Sequence, residues 1–199
     1  MDNCHGLFVE VTMRVYCGAP IDSVSGDPFK NFDYLAEVLS DSEKAFDPYN
    51  RRFVGFNPAR AYINAKTAVD YDYIVEINRY ALRTADIALF LINEVQSFGL
   101  PYELGMCADF KIPMFCILKN IKMGVYLKHW LEDADLHSYC QVSPDSPKAL
   151  ASDGFASFAE NIYRDSLSMP YTKREAMYTN VGNVLNEHSR IYLESVGGK

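Results

Sequence analysis

The sequence predicts an α/β protein with a central parallel sheet, and three observations carry that prediction. IALFLIN, directly after Asp86, is continuously apolar, and so is most of IPMFCILKN after Lys111. Runs without alternation belong to strands buried on both faces, as in parallel sheets covered by helices. Stretches of this kind also alternate along the chain with helix-patterned segments, the order of βαβ units. Such sheets place ligands outside the carboxyl ends of their strands.

The elements follow in order. LFVEVTMRVYCGAP, residues 7–20, reads as a partly alternating strand ending at Gly18, Ala19 and Pro20. Asp27 and Pro28 supply a cap and a first-turn proline, and Phe29, Phe32, Leu35, Ala36 and Leu39 follow at helical spacing. KAFDP, residues 44–48, is expected as a short second strand, with YNRRFVGFNPA after it as a polar and aromatic loop. Residues 59–84 read as one or two helices, with Ile74, Ile77, Ala81 and Leu82 as their clearest stripe. The third strand is IALFLIN, a helix is expected over 101–110, and the fourth strand is IPMFCILKN. VYLKHWLEDA gives a helix, SYCQV a fifth strand, and ALASDGFASFAENIYRD a last helix. Residues 1–167 then form one domain. Residues 168–199 form a helical extension, with Val181, Val184, Leu185, His188, Ile191 and Tyr192 on one face.

Composition narrows the function classes. The chain has 199 residues, 49% hydrophobic and 23% charged, enough for one domain with its own core. No apolar run is long enough to span a bilayer. The acidic start, without a basic region and apolar core, predicts no signal peptide. The five cysteines, Cys4, Cys17, Cys107, Cys116 and Cys140, show no C-x-x-C pair, which speaks against a zinc site or disulfide framework and fits a reducing, cytoplasmic compartment. Cys107 and Cys116 are expected as buried small hydrophobes. A net charge of −7 argues against binding a nucleic-acid polymer through bulk charge but leaves a small anionic ligand possible. Basic residues gather at Arg51, Arg52, Arg60, Lys66, Arg79 and Arg83, and the bland reading of such a cluster is a solvated face. Neither a dinucleotide fingerprint nor a P-loop motif occurs.

Three loops converge at the carboxyl edge of the expected sheet: those after Tyr16, after Asp47, and from Ser97 to Glu103. The last, SFGLPYELGMC, carries a lone carboxylate. With Pro101 at the first helical position, Glu103 lies in the first turn, where the helix dipole favours an acidic residue and keeps it ionised. A structural cap and a catalyst are both open on that ground. Gly99 and Leu100 offer no side-chain oxygen, so the first backbone donors of the helix are expected to be left for a ligand or water.

These segments resemble the nucleoside 2-deoxyribosyltransferase superfamily, including its nucleoside-monophosphate N-glycosidase branch. The resemblance rests on VYCGAP, on RTADIALFLIN, and on SFGLPYELGMCADFKIPMFCIL, in the same order and spacing over roughly residues 14–165. It implies a flavodoxin-like three-layer sandwich around a mainly parallel five-stranded sheet. It also implies that Glu103 is a nucleophile that attacks the anomeric carbon and passes the sugar to another base or to water. Tyr16 matches the residue that contacts nucleophile and substrate, its bland reading being a strand-end tyrosine packed on the core. Gly18 and Gly99 fall at the turns that meet the substrate. Ser97, six residues before Glu103, stands where the monophosphate hydrolases carry a phosphate-binding serine and the nucleoside exchangers an aspartate. The VYCGAP segment looks more like the exchangers, so transfer and hydrolysis both stay open. Asn78 departs from the family pattern: it stands where an aspartate helps protonate the leaving base, and an amide cannot deliver a proton. Arg51, with Asn50 and Arg52, falls in the stretch that contacts the base, where an arginine could also meet a phosphate. The resemblance implies no metal or organic cofactor, and a homo-oligomer whose site a neighbouring subunit completes. A nucleotide-binding or sensing module with little turnover is the alternative. Asp86, opening a buried strand, is expected to be structural.

Overall fold

A computed structural model describes residues 11–21, 29–46, 51–59, 68–94, 97, 99–132, 137–143 and 145–167. Five strands pair in parallel in the order β2-β1-β3-β4-β5: β1 Val11–Gly18, β2 Arg51–Phe56, β3 Ile87–Ile92, β4 Met114–Lys119 and β5 His137–Val142. Between them run α1 Lys30–Phe46, α2 Ala68–Thr84, α3 Gly99–Phe110 and α4 Val125–Glu132, and α5 Ala149–Leu167 follows. This is a flavodoxin-like α/β sandwich, and its strand order reverses direction between β1 and β3.

The chain divides into two compact units, residues 1–159 and 160–199. All five strands and the first four helices lie in the first. The described part of the second is the end of α5, where Arg164 Nε donates to Glu160 Oε1 at 2.8 Å. The expected extension over 168–199, and the cap expected at Asp27 and Pro28, lie outside the described residues.

The continuous apolar runs became the buried centre of the sheet. In β3 and β4 all but the last residue are buried. Side chains alternate strictly between the two faces. Val15, Cys17, Leu89, Leu91, Phe115 and Ile117 point to one face. On that side Phe155 of α5 meets Phe53 at 5.3 Å and Phe115 at 5.8 Å between ring centroids. The buried Ser42 hydroxyl of α1 sits 2.9 Å from the Ser152 carbonyl oxygen. Tyr16, Ala88, Phe90, Met114, Cys116 and Leu118 point to the other face. There they share a core with Leu82 of α2, Leu100, Leu104, Met106 and Cys107 of α3, and Leu131 of α4. Cys107 and Cys116 are fully buried, as expected, and burial pushes both thiols above their ordinary value.

The second strand falls elsewhere than the sequence predicts. Lys44, Ala45 and Phe46 finish α1, and the expected loop supplies β2. Phe53 and Phe56 explain the outcome. Phe53 packs on Phe155 and Phe56 stacks on Tyr16 at 5.8 Å, so one side chain anchors each face of the edge strand. Lys44 instead reaches back along α1 to Asp41 at 2.8 Å. Asp86 is structural: it accepts from Arg14 Nε, Nη2 and backbone N at 2.7–3.1 Å, clasping the start of β3 to β1.

Candidate active site

The crossover point between β1 and β3 is where an open parallel sheet leaves a crevice, because the connections on either side turn away from each other. Tyr16 and Gly18 end β1 there, opposite Ala88 and Phe90 of β3. Both point to the face that α2 and α3 cover.

Tyr16 is fully buried between Phe56 and Phe90. Its hydroxyl donates to Glu103 Oε1 at 2.8 Å, across 87 residues of sequence. Gly18 completes the seat. A Cβ at this position would run into the Phe90 ring and lie 3.1 Å from Glu103 Oε2. Only glycine lets the strand end and the carboxyl approach this closely. One carboxyl oxygen is thus held by Tyr16, and the other faces a bare stretch of backbone.

Glu103 stands in the second turn of α3, which begins at Gly99, and no acidic residue occupies the first turn. The expected first-turn position is therefore corrected. The helix start is also not left bare: Ser97 Oγ accepts from the Leu100 N–H at 3.4 Å, spanning three residues as an N-cap serine does. The dipole falls off within one turn, so it does not keep Glu103 ionised. Burial dominates instead and pushes its carboxyl up to about 7, against the opposing pull of the Tyr16 hydrogen bond.

Glu103 and Gly99 of α3 face Asn78, Arg79, Val75 and Leu82 of α2 across a cavity of about 60 Å³. Asn78 is 7% exposed, and its Oδ1 is buried without a hydrogen-bond partner. Arg79 Nε is buried and unpartnered as well, while Nη1 lies 3.9 Å from Glu76. Buried polar atoms are nearly always paired, so two orphans on residues that line one cavity single it out as a candidate ligand site. The cavity has room for about two waters. Tyr102, 53% exposed at its rim, is the lining side chain freest to turn aside for something larger.

The structure therefore brings Tyr16, Gly18, Glu103, Asn78 and Gly99 together, with Ser97 next to Gly99. Arg51 is not among them. It opens β2 opposite Val11, at the amino end of the sheet, and β1 runs seven residues from there to Gly18. The expected base-contacting loop became a strand, and that moved Arg51 to the far edge. Arg79 is the residue that sequence reasoning left in a general basic cluster. Its position directly after Asn78 on the same helix was the available signal.

No family model matches the chain, and no curated protein matches it in sequence. Solved structures do match. A 2-deoxyribosyltransferase from the psychrotolerant bacterium Bacillus psychrosaccharolyticus superposes with a TM-score of 0.53 at 14% identity, over 73% of this chain and 95% of that one. The chain has the fold of a nucleoside 2-deoxyribosyltransferase. A CMP N-glycosidase from Clostridium botulinum is also similar, with a TM-score of 0.46 at 10% identity, over 71% of this chain and 97% of that one. Within this fold the cluster around Glu103 sits at the strand crossover, where doubly wound sheets bind their ligands.

Proposed function

We propose that this chain cleaves or transfers the N-glycosidic bond of a nucleoside or nucleoside 5′-monophosphate, with Glu103 as nucleophile. The observation that carries the reading is the Tyr16 hydroxyl donating to Glu103 at 2.8 Å at the strand crossover. The match to a 2-deoxyribosyltransferase supports the same chemistry.

A glycosyl-enzyme mechanism asks three things of the protein: a fixed carboxylate, an open line to the anomeric carbon, and a partner for the departing base. Tyr16 fixes one oxygen of Glu103. The oxygen beside Gly18 forms the bond to the anomeric carbon as the C–N bond breaks, and the electron pair of that bond leaves with the base. Water, or a second base, then attacks the glycosyl ester and restores the carboxylate. Tyr16 supports both steps by holding negative charge on the carboxylate when it is the free or leaving group. Ser97, beside Gly99, gives a hydroxyl for the 5′ end of the substrate. Val75 and Tyr102, 45% and 53% exposed at the rim, are the surface that a second copy of the chain covers. A monomer in light scattering at micromolar concentration refutes that last part.

The experiment is a panel of nucleosides, 2′-deoxynucleosides and their 5′-monophosphates, incubated with and without an acceptor base, with free base followed over time. The expected result is release or exchange that Glu103→Ala abolishes, with a sugar adduct on the Glu103 peptide after acid quenching. A second reading, a nucleotide-binding module, draws on one observation: Asn78 cannot donate a proton as a carboxylic acid does. It predicts ligand binding with no base release even at large protein excess, and that result overturns the enzyme.

A further inference from the structure

We propose that Arg79 is the group that stabilises the departing base as an anion, in place of a proton donor; this rests on the glycosidic reading above. The chemistry poses the problem. Breaking the C–N bond leaves an electron pair on a ring nitrogen, and that charge needs either a proton or a preorganised donor. Asn78 can supply no proton. The next residue of α2 supplies a permanent cation. Arginine stays protonated at any pH of interest, so it acts on charge by donating hydrogen bonds and never by giving up its proton.

Three features point to this role. Arg79 lines the same cavity as Glu103, and although its side chain is 41% exposed, its Nε is buried and has no hydrogen-bond partner. A buried, unpartnered donor is costly, and it gains most when a charge develops in front of it and a bound ligand has displaced the water of the cavity. The cation is also not spent on the nucleophile: burial and the Tyr16 hydrogen bond shift the Glu103 carboxyl, and among the described residues no arginine holds it down. Finally, the two groups stand on opposite walls, Glu103 on α3 and Arg79 on α2. That is the arrangement displacement at a carbon requires, with the entering group on one side and the leaving group on the other. Asn78, whose Oδ1 is the other orphan, lines the cavity on the same helix as Arg79. The pair offers one donor and one acceptor, matching a heteroaromatic leaving group that carries a ring acceptor beside an N–H.

The balance is simple. Glu103 gains the bond to the anomeric carbon, the base nitrogen gains the electron pair, and the base anion is held against Arg79 until solvent protonates it on release. In exchange, an incoming base loses its proton to solvent and attacks from the same place.

The test is a leaving-group series: deoxyribosides or their monophosphates whose bases span a wide range of N–H acidity. Base release is measured with the native protein, Arg79→Gln and Arg79→Lys. The expected result for Arg79→Gln is a loss of kcat/KM of about a hundredfold for the most basic leaving groups and only a few-fold for the most acidic. The plot of log kcat/KM against leaving-group pKa therefore steepens. Arg79→Lys, which keeps the charge but not the fixed donor, falls between, and it covers the case in which Arg79→Gln fails to fold. A uniform loss across the series, or an unchanged slope in both variants, overturns the proposal while base release that depends on Glu103 still stands. No base release from any substrate by the native protein overturns both.

Discussion

Two hollows open at the carboxyl edge of the same sheet, and they differ in nearly every respect. One lies beyond β4 and β5, lined by Glu94, Asn120, Gln141, Val142, Ser143 and Ser146, and measures about 660 Å³. The other lies between α2 and α3 and is about a tenth of that size. In the large one several polar groups are paired with each other or with the backbone. Ser143 N donates to Ser146 Oγ at 2.9 Å, the two serine hydroxyls lie 2.9 Å apart, Gln141 Nε2 donates to the Ile121 carbonyl, and Asn120 N to that of Val142. In the small one a carboxyl is pushed out of its ordinary range and two buried atoms have no partner. Volume measures where a ligand fits, whereas an unsatisfied or shifted group measures what the protein has prepared for it. On the function proposed above, the small hollow is the reaction site.

Substitutions on the two sides sharpen that contrast. The largest effect is expected from Glu103→Ala, about 10⁴-fold or more in base release, as for other nucleophiles removed from a site that acts as a unit. Ser143→Ala with Ser146→Ala in the large hollow leaves the rate within about twofold, and an equal loss there sinks the assignment.

Next comes Gly18→Val. Its side chain meets Phe90 and the Glu103 carboxyl, which costs about 1–3 kcal/mol of stability and about a hundredfold in rate. Thermal unfolding and kcat measure the two parts. A stable and fully active variant refutes the close approach.

Tyr16→Phe removes the donor that lowers the Glu103 pKa, so the acid limb of kcat/KM moves to higher pH. On the proposed mechanism the native limb is expected near 7, with activity rising as pH increases, because a carboxylate attacks only when ionised. An unmoved limb in the variant breaks the link between the hydroxyl and the carboxyl. The stability change is about 1 kcal/mol.

The last effect is on stability and leaves the rate aside. The Glu103 carboxyl is raised from 4.5 to about 7 on folding, so the folded state binds the extra proton between those values. Native stability therefore falls as pH rises through that window and levels off above it. Glu103→Gln lacks this dependence. Its stability relative to the native protein should match below about pH 4.5 and exceed it by on the order of 3 kcal/mol above pH 7. Urea titrations at pH 4 and pH 8 check the sign.

The sequence by itself determined the centre of this protein. IALFLI and MFCILK are apolar without interruption, and only a strand covered on both faces satisfies such a run. The order of strands and helices followed, and with it the edge at which open parallel sheets take their ligands. Glu103 could be singled out as a lone carboxylate directly after an apolar strand, and Tyr16 and Gly18 by the resemblance of VYCGAP to the deoxyribosyltransferase superfamily. Tertiary structure decided the rest. The edge strand moved from 44–48 to 51–56 because Phe53 and Phe56 find partners more than 30 residues away, which no local period records. That displacement took Arg51 away from the site. The ionisation of Glu103 was decided in the same way: the first-turn dipole is a local property, but the carboxyl sits deeper in α3, under side chains from β1 and α2, and desolvation wins. Arg79 is one basic residue among several in the sequence. Only burial of its Nε, beside an amide that cannot give a proton, distinguishes it from a charge on a solvated face.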